Sequence, residues 1–498
     1  MKKYLCISAF WFLIFGNPLS AQLPGEYFTH GANVGNPTLK GSFDYHSENQ
    51  VFTLKGSGYN IWFERDEFFF LSKPVEGDVI FSASLAFDGA GVDPHRKMGL
   101  MLRESTADDA PYVDVAVHGD GLTSLQFRRQ KGGTTEELVA DVKAPGFVQL
   151  ERRGNTFILR VSKDHAPLRE VAVMEVPLER YLLGGMFVSS HNPEVLEQAR
   201  FWNVRFDVPA GAAGGENAPA SPSRLEILEV ETGHRQVLWA TEKHIEAPNW
   251  SRDGKFLLYN SDGKLFRLGL KSKTPVEIHT GFADANNNDH GISFDGKMLA
   301  ISHHTVENEN RHSIIYTVPV TGGTPRRITE KGPSYWHGWS PDDKWLTYCA
   351  ERNGEYDVYK IPAAGGEEIR LTQTPGLDDG PEYSPDGKYI YFNSVRSGNM
   401  QIWRMQPDGS NPEQVTFDGY NNWFAHPSPD GRWLIYISYL PEVPPGSHPR
   451  NQRVMLRLQS VETGEVKALA FLYGGQGTLN VPSWSPDSRK VAFVSYTY

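Results

Sequence analysis

Trp339-Ser-Pro-Asp-Asp-Lys344 and Tyr383-Ser-Pro-Asp-Gly-Lys388 are two copies of one short motif, and four more stand in the same half of the chain. They read Trp250-Ser-Arg-Asp-Gly-Lys255, Ile292-Ser-Phe-Asp-Gly-Lys297, Pro427-Ser-Pro-Asp-Gly-Arg432 and Trp484-Ser-Pro-Asp-Ser-Arg489. The tetrapeptide Ser-Pro-Asp-Gly is turn chemistry: Pro fixes φ, while Asp and Gly accept a tight reversal. An apolar strand follows each copy, as in Lys344-Trp-Leu-Thr-Tyr348 and Lys388-Tyr-Ile-Tyr-Phe392. Next come a second strand, such as Asp357-Val-Tyr-Lys360 or Gln401-Ile-Trp-Arg404, a glycine-rich turn and a short piece ending in Leu371-Thr372 or Val415-Thr416. Repetition at this spacing marks four-stranded propeller blades, so six copies predict six blades. After the sixth copy only Val491-Ala-Phe-Val-Ser495 remains, and two strands without the motif, Arg224-Leu-Glu-Ile-Leu-Glu-Val230 and Arg235-Gln-Val-Leu-Trp239, precede the first. Together they complete one blade from both ends of the repeat, which closes the ring and removes free sheet edges.

Upstream the pattern changes. Residues 22–208 hold many short alternating strands, among them Lys97-Met-Gly-Leu-Met-Leu-Arg103, Val113-Asp-Val-Ala-Val117 and Phe157-Ile-Leu-Arg-Val161, joined by glycine turns. No helical period interrupts them, which predicts a β-sandwich and an all-β chain. Between the modules, residues 209–222 (Pro-Ala-Gly-Ala-Ala-Gly-Gly-Glu-Asn-Ala-Pro-Ala-Ser-Pro) lack any apolar period and read as a linker to a propeller over 223–498. Residues 1–21 read as a cleaved signal peptide, with Lys2 and Lys3 before the apolar run from Tyr4 to Phe15 and Leu19-Ser20-Ala21 at the cleavage point. The expected location is therefore periplasmic or secreted. No other run is long and apolar enough to span a membrane. Removal of the signal takes Cys6 and leaves Cys349 alone, so no intramolecular disulfide is possible. A net charge of -11, with no basic patch, argues against nucleic acid as partner.

With the motif in the turn between the two inner strands of each blade, the remaining loops meet on the opposite face. Function on a rigid scaffold collects in such loops. Three residues before the motif Ser, three copies have Pro248, Pro381 and Pro482, whereas two have His290 and His337, and a third has His426 one residue later. Histidine is a common metal ligand and a general base near neutral pH. With Asp289, Asp379, Glu382 or Gln476 these histidines form a candidate site for one divalent ion (Mn, Ca or Zn); the alternative is that each is a hydrogen-bonded inner-strand residue. Trp336 and Trp423 are candidate sugar-stacking platforms or repeat packing, and Asn480 lies in the Gly474-Gly-Gln-Gly-Thr-Leu-Asn480 loop of the same face. Arg352 and Arg396 occupy equivalent repeat positions, as ligands for a substrate carboxylate or as blade-to-blade ion pairs. No Gly-x-Ser-x-Gly elbow and no phosphate-cradling Gly loop occur.

The repeats over 223–498 resemble those of TolB-type propellers. The pieces Lys97–Arg103, Leu150-Glu-Arg-Arg-Gly-Asn155 and Phe201-Trp-Asn-Val204 resemble an uncharacterised branch of the concanavalin A-like lectin/glucanase superfamily. That second resemblance implies a fold and no activity. Oligogalacturonate lyases are similar propellers with a His-ligated metal. That likeness implies His290, His337 and His426 as ligands or base and Arg352 or Arg396 as holder of a uronate carboxyl, although the spacing departs from that family's. The expectation is an exported protein that binds and cleaves a glycan or oligosaccharide at the propeller mouth, by metal-assisted β-elimination or hydrolysis. The TolB resemblance implies the alternative, a non-catalytic scaffold for envelope proteins.

Overall fold

The computed structural model describes residues 22–28, 30–209 and 221–497. The expected signal peptide over 1–21 and most of the 209–222 linker lie outside these described residues.

The second module is a six-bladed propeller. Five blades are four-stranded antiparallel sheets whose inner strands are Glu246–Trp250, Asn286–Ile292, Ser334–Trp339, Asp378–Tyr383 and Asn421–Pro427. The sixth is built from both ends of the repeat: Ser223–Glu229 pairs with His234–Thr241 on one side and with Lys490–Tyr496 on the other. Ser223 lies opposite Tyr496 and Glu229 opposite Lys490, and a bridge from Val491 to Trp484 supplies the innermost position. The closure expected from strand counting is this one.

Every motif turn is held by the same bonds. The Ser Oγ donates to the Asp two residues on, at 2.8 Å for Ser251–Asp253, 2.7 Å for Ser293–Asp295, 2.6 Å for Ser340–Asp342, 2.7 Å for Ser384–Asp386, 2.6 Å for Ser428–Asp430 and 2.6 Å for Ser485–Asp487. It also accepts from the next strand's first amides, as Ser340 Oγ does from Lys344 N at 3.1 Å and Trp345 N at 2.9 Å. The loudest motif of the sequence is thus structural. Ser340→Ala leaves two turn amides without that acceptor and is expected to cost about 1–3 kcal/mol. Urea denaturation should give a similar loss for Ser428→Ala, whose Oγ bonds Asp430 and Trp433 N at 3.0 Å in the same way.

In the first module two seven-stranded antiparallel sheets share one hydrophobic core. Phe69, Leu100, Val115 and Leu125 enter it from one sheet, Phe81, Leu150, Phe201 and Phe206 from the other. Alternate residues of each strand face that core, the period-two pattern read in the sequence. The module is tied to the closing blade. Arg205 on its Glu197–Asp207 strand pairs with Glu226 at 2.5 Å, and Asp207 pairs with Arg224 at 2.5 Å. Asn203 donates to Gly233 O at 3.0 Å and accepts from Arg235 N at 2.7 Å, while Phe147 packs against Phe471 of the blade beside it.

Candidate functional site

All five complete inner strands break register at the same height. The shifts fall between Glu246 and Asn249, Asn286 and His290, Trp336 and Gly338, Asp379 and Glu382, and Trp423 and His426. A bulge of this kind adds a residue, bends the strand and re-aims its side chains. Ala247 and Phe424, neither of them glycine, sit there with positive φ of 55° and 53°. Above the bulges a cavity of about 650 Å³ opens on the face away from the motif turns.

Most of its lining residues carry hydrogen-bonding side chains, with Leu377 and Phe424 among the apolar ones. Glu246, Asp289 and Asp379 supply carboxylates, His304, His337 and His448 imidazoles, and Asn287, Asn288, Gln476 and Asn480 amides; no lining residue is Lys or Arg. His337 Nε2 lies 3.0 Å from Asp379 Oδ1, and its ring stacks on Phe424 with centroids 5.7 Å apart. Burial opposes charge on His337, but Asp379, with Asp289 and Glu382, outweighs it and raises the imidazole's pKa. Burial likewise opposes charge on Asp379, yet His337, and a Gly380 N–H donated to Oδ1 at 2.7 Å, hold its carboxyl below the ordinary range. Among the described residues Asp289 has no ion-pair partner of its own, only a hydrogen bond with Asn287. Burial pushes it up to about 7, the nearby Asp379 and Glu246 add to the rise, and His337 only partly opposes it. Cys349 also faces this cavity, but burial drives its thiol well above the ordinary value, which makes it a poor nucleophile.

Of the residues expected from the sequence, His337, Asp289, Asp379 and Asn480 line the cavity together. The other two histidines do not join them. His426 has Nδ1 2.5 Å from Glu382 Oε2 and Nε2 3.0 Å from Leu479 O, and Glu382 lines a separate cavity of about 300 Å³ toward the motif turns. His290 is fully buried against the backbone of Ala247 and Asn287, and burial lowers its pKa to about 4. Among the described residues no group of three or more His, Cys, Asp or Glu is placed to hold a metal ion. The donors present therefore do not fit the expected three-histidine Mn, Ca or Zn site.

The expected arginines and tryptophans are used inside the fold. Arg352 makes two bonds of 2.9 Å to Glu368 and reaches Ser334 Oγ at 2.9 Å, while Arg396 bonds Asp378 at 2.7 Å and Ser394 Oγ at 2.7 Å. These are ion pairs within one blade, not between blades, and neither guanidinium lines the mouth cavity. Trp336 and Trp423 are 1% and 0% exposed. Trp336 fills the space above Gly291, where any Cβ would collide with its ring, and Trp423 meets His448 edge-on at 4.4 Å. Neither offers a face to a sugar.

Five residues before the motif Ser stand Glu246, Asn288, Tyr335, Asp379, Trp423 and Asn480; all but Trp423 line the cavity, and Glu246, Asn288 and Tyr335 were not among the expected site residues. The informative position was two residues earlier than the one at which the histidines stand out.

A family profile described as "TolB beta propeller domain" matches residues 337–442. An uncharacterised protein of Agrobacterium fabrum is 50% identical over 275 residues, 55% of this chain and 92% of that one. A solved TolB candidate from Agrobacterium tumefaciens is 49% identical, covering 56% of this chain and 99% of that chain, with a TM-score of 0.54. The chain belongs to the TolB-type β-propeller family. An oligogalacturonate lyase from Vibrio parahaemolyticus is far more distant from this TolB-type chain, at 15% identity and a TM-score of 0.34 over 54% of this chain and 78% of that one. A likeness at that level carries no argument about chemistry. Just over half of the TolB-type chain is covered by its relatives.

Proposed function

We propose that this is a non-catalytic, exported TolB-like binding protein whose propeller mouth takes a cationic segment of a partner protein, a lysine- or arginine-bearing loop or chain end. One observation carries the reading: Glu246, Asp289 and Asp379 line a single cavity that no Lys or Arg lines. Asp379 is paired with His337 and Glu246 lies 3.1 Å from His244 Nε2, which leaves Asp289 as the buried carboxylate without an ion pair; that is costly, and an incoming ammonium or guanidinium removes the cost. The Agrobacterium relative at 49% identity, described as a TolB candidate, supports a binding role over a catalytic one. The four amides suit hydroxyl groups as well, which favours a neutral glycan as the second reading. A uronate needs a cation to hold its carboxyl, and Arg352 and Arg396 are bonded elsewhere. The concanavalin A-like assignment of the first module and the periplasmic location stand with this proposal.

The test is fluorescence anisotropy with a labelled tetralysine peptide, alongside tetraglutamate and a galacturonate hexamer. Tetralysine should bind, and more tightly as pH rises from about 6 to 8. In that window Asp289 ionises, its pKa standing at about 7, and the change makes the cavity more negative. Glu246→Gln should weaken the peptide by about tenfold, the effect of one charge-assisted bond. Preference for the galacturonate, or a peptide affinity unmoved by Glu246→Gln, would overturn the reading.

A further inference from the structure

The residue after the motif Ser is proline in four copies, Pro341, Pro385, Pro429 and Pro486, but Arg252 in the first and Phe294 in the second. The two exceptions meet. The Arg252 guanidinium stands 4.3 Å from the centroid of the Phe294 ring, across the boundary between adjacent blades. Both residues line the cavity of about 300 Å³ toward the motif turns, at the end of the channel away from the carboxylate-lined mouth. Trp250, Trp336, Trp339 and Trp484 wall it, Arg252 is exposed within it, and the exposed Pro429 and Pro486 stand at its rim. A cavity of that size is at the low end of those that take a small organic molecule.

The groups left over in this cavity are donors. Trp339 Nε1 donates to Gly291 O at 3.1 Å and Trp484 Nε1 to His426 O at 2.8 Å, each on the neighbouring blade. The equivalent Trp250 is 7% exposed and its Nε1 has no partner, nor has Nε1 of the buried Trp336. A buried donor left unmatched is costly, and native folds seldom keep one without a use. Arg252 donates to Ser293 O and Ile292 O, both at 3.0 Å, but among the described residues no carboxylate pairs with it. Glu382 and Asp343 act on it only from farther off. Asp343 accepts from the amides of Phe294 and Asp295 at 2.6 and 2.8 Å. Glu382 lies 2.5 Å from His426 Nδ1, and His426 Nε2 faces the Leu479 carbonyl, so that nitrogen carries a proton. A second proton fills the short contact, and the pair is neutral overall. Asn249 is spent on Pro482 O and the Ile292 amide. What remains is one full positive charge and two indole N–H groups.

We propose that this cavity is a second binding site, independent of the mouth, for a carboxylate borne on an aromatic group. The carboxylate meets the Arg252 guanidinium and the Trp250 N–H in charge-assisted bonds, and the aryl group packs among the indole and proline walls. Two sources supply that chemistry: a free aryl carboxylic acid, or the C-terminal carboxylate of a chain that ends in phenylalanine.

Calorimetric titration of the whole protein with 3-phenylpropionate, with its uncharged amide and with acetate tests it. The aryl acid should bind, and the amide and acetate should each be weaker by about tenfold or more. Arg252→Pro gives the turn the residue that four other copies carry, and Arg252→Gln leaves its backbone untouched. Each should weaken the aryl acid about tenfold or more while a thermal melt shows the fold intact. Trp250→Phe keeps a ring and removes the N–H, and should weaken it several-fold. Saturating tetralysine should not displace the acid, because the mouth lies at the other end of the channel. Tighter binding of the peptide Gly-Gly-Phe than of 3-phenylpropionate assigns a partner's chain end, and the reverse order assigns a free acid. No heat from either, equal affinity for acid and amide, affinity surviving both Arg252 variants, or displacement by tetralysine would each overturn the proposal.

Discussion

Glu226→Gln should unfold the protein at markedly lower urea, with a loss of about 3–5 kcal/mol, the cost of stranding buried charges. Glu226 is fully buried on the closing blade's middle strand. It accepts from Arg205 at 2.5 Å, Arg235 at 2.8 Å and Ser495 Oγ at 2.5 Å. Those partners come from the first module, the blade's outer strand and the chain's last strand, so one carboxylate joins three segments distant in sequence. Burial alone would raise its pKa, but the two guanidiniums hold it well below the ordinary carboxylate range. A depressed folded-state pKa means the stabilisation is present above about pH 4.5 and is lost as pH falls below it. Glutamine keeps the shape and removes the charge, which leaves two arginines facing each other. Glu413→Gln serves as the control, because its 2.7 Å pair with Arg404 is half in solvent and worth at most about 1 kcal/mol. A Glu226→Gln loss no larger than the control's would show that the module junction does not lean on this charge.

What the sequence made legible was what local chemistry decides. Ser384 bonds Asp386 two residues away, so the six turns, the blade number and the closing strand could be read without any distant contact. The site could not, because its geometry depends on a bulge in each inner strand. Regular alternation would send His290 and His337, equivalent in the repeat, to equivalent places; instead His337 faces the cavity and His290 is sealed behind it. Trp336 and Trp423 failed as platforms for a related reason. Whether a repeat tryptophan faces solvent or the next blade depends on the partner strand, here Gly291, 45 positions earlier by residue number. Arg352 and Arg396 were read correctly as ion pairs but across the wrong boundary, since Glu368 and Asp378 lie in the same blades.

Asp289→Asn is expected to stabilise the free protein at pH 8, by up to about 4 kcal/mol, and to do almost nothing at pH 4. The sign follows from a folded-state pKa raised from 3.8 to about 7 by burial. Below 3.8 both folded and unfolded chains hold the proton, and there is no difference to measure. As pH rises past 3.8 the unfolded chain ionises first, and each further unit costs the folded state about 1.4 kcal/mol until the folded carboxyl ionises near 7. Asparagine never ionises, so it escapes that cost. Thermal melts of both proteins from pH 4 to 8 would show the gap opening with pH; a constant gap, or a variant less stable at pH 8, would mean that Asp289 is satisfied in the free protein. The consequence reaches function. A side chain that destabilises the free fold at working pH has a use when something positive sits beside it, since a bound cation lets it ionise without that cost. Saturating tetralysine should therefore raise the melting temperature of the natural protein at pH 8 more than that of Asp289→Asn, and the difference should shrink at pH 5, where Asp289 is protonated in the free protein.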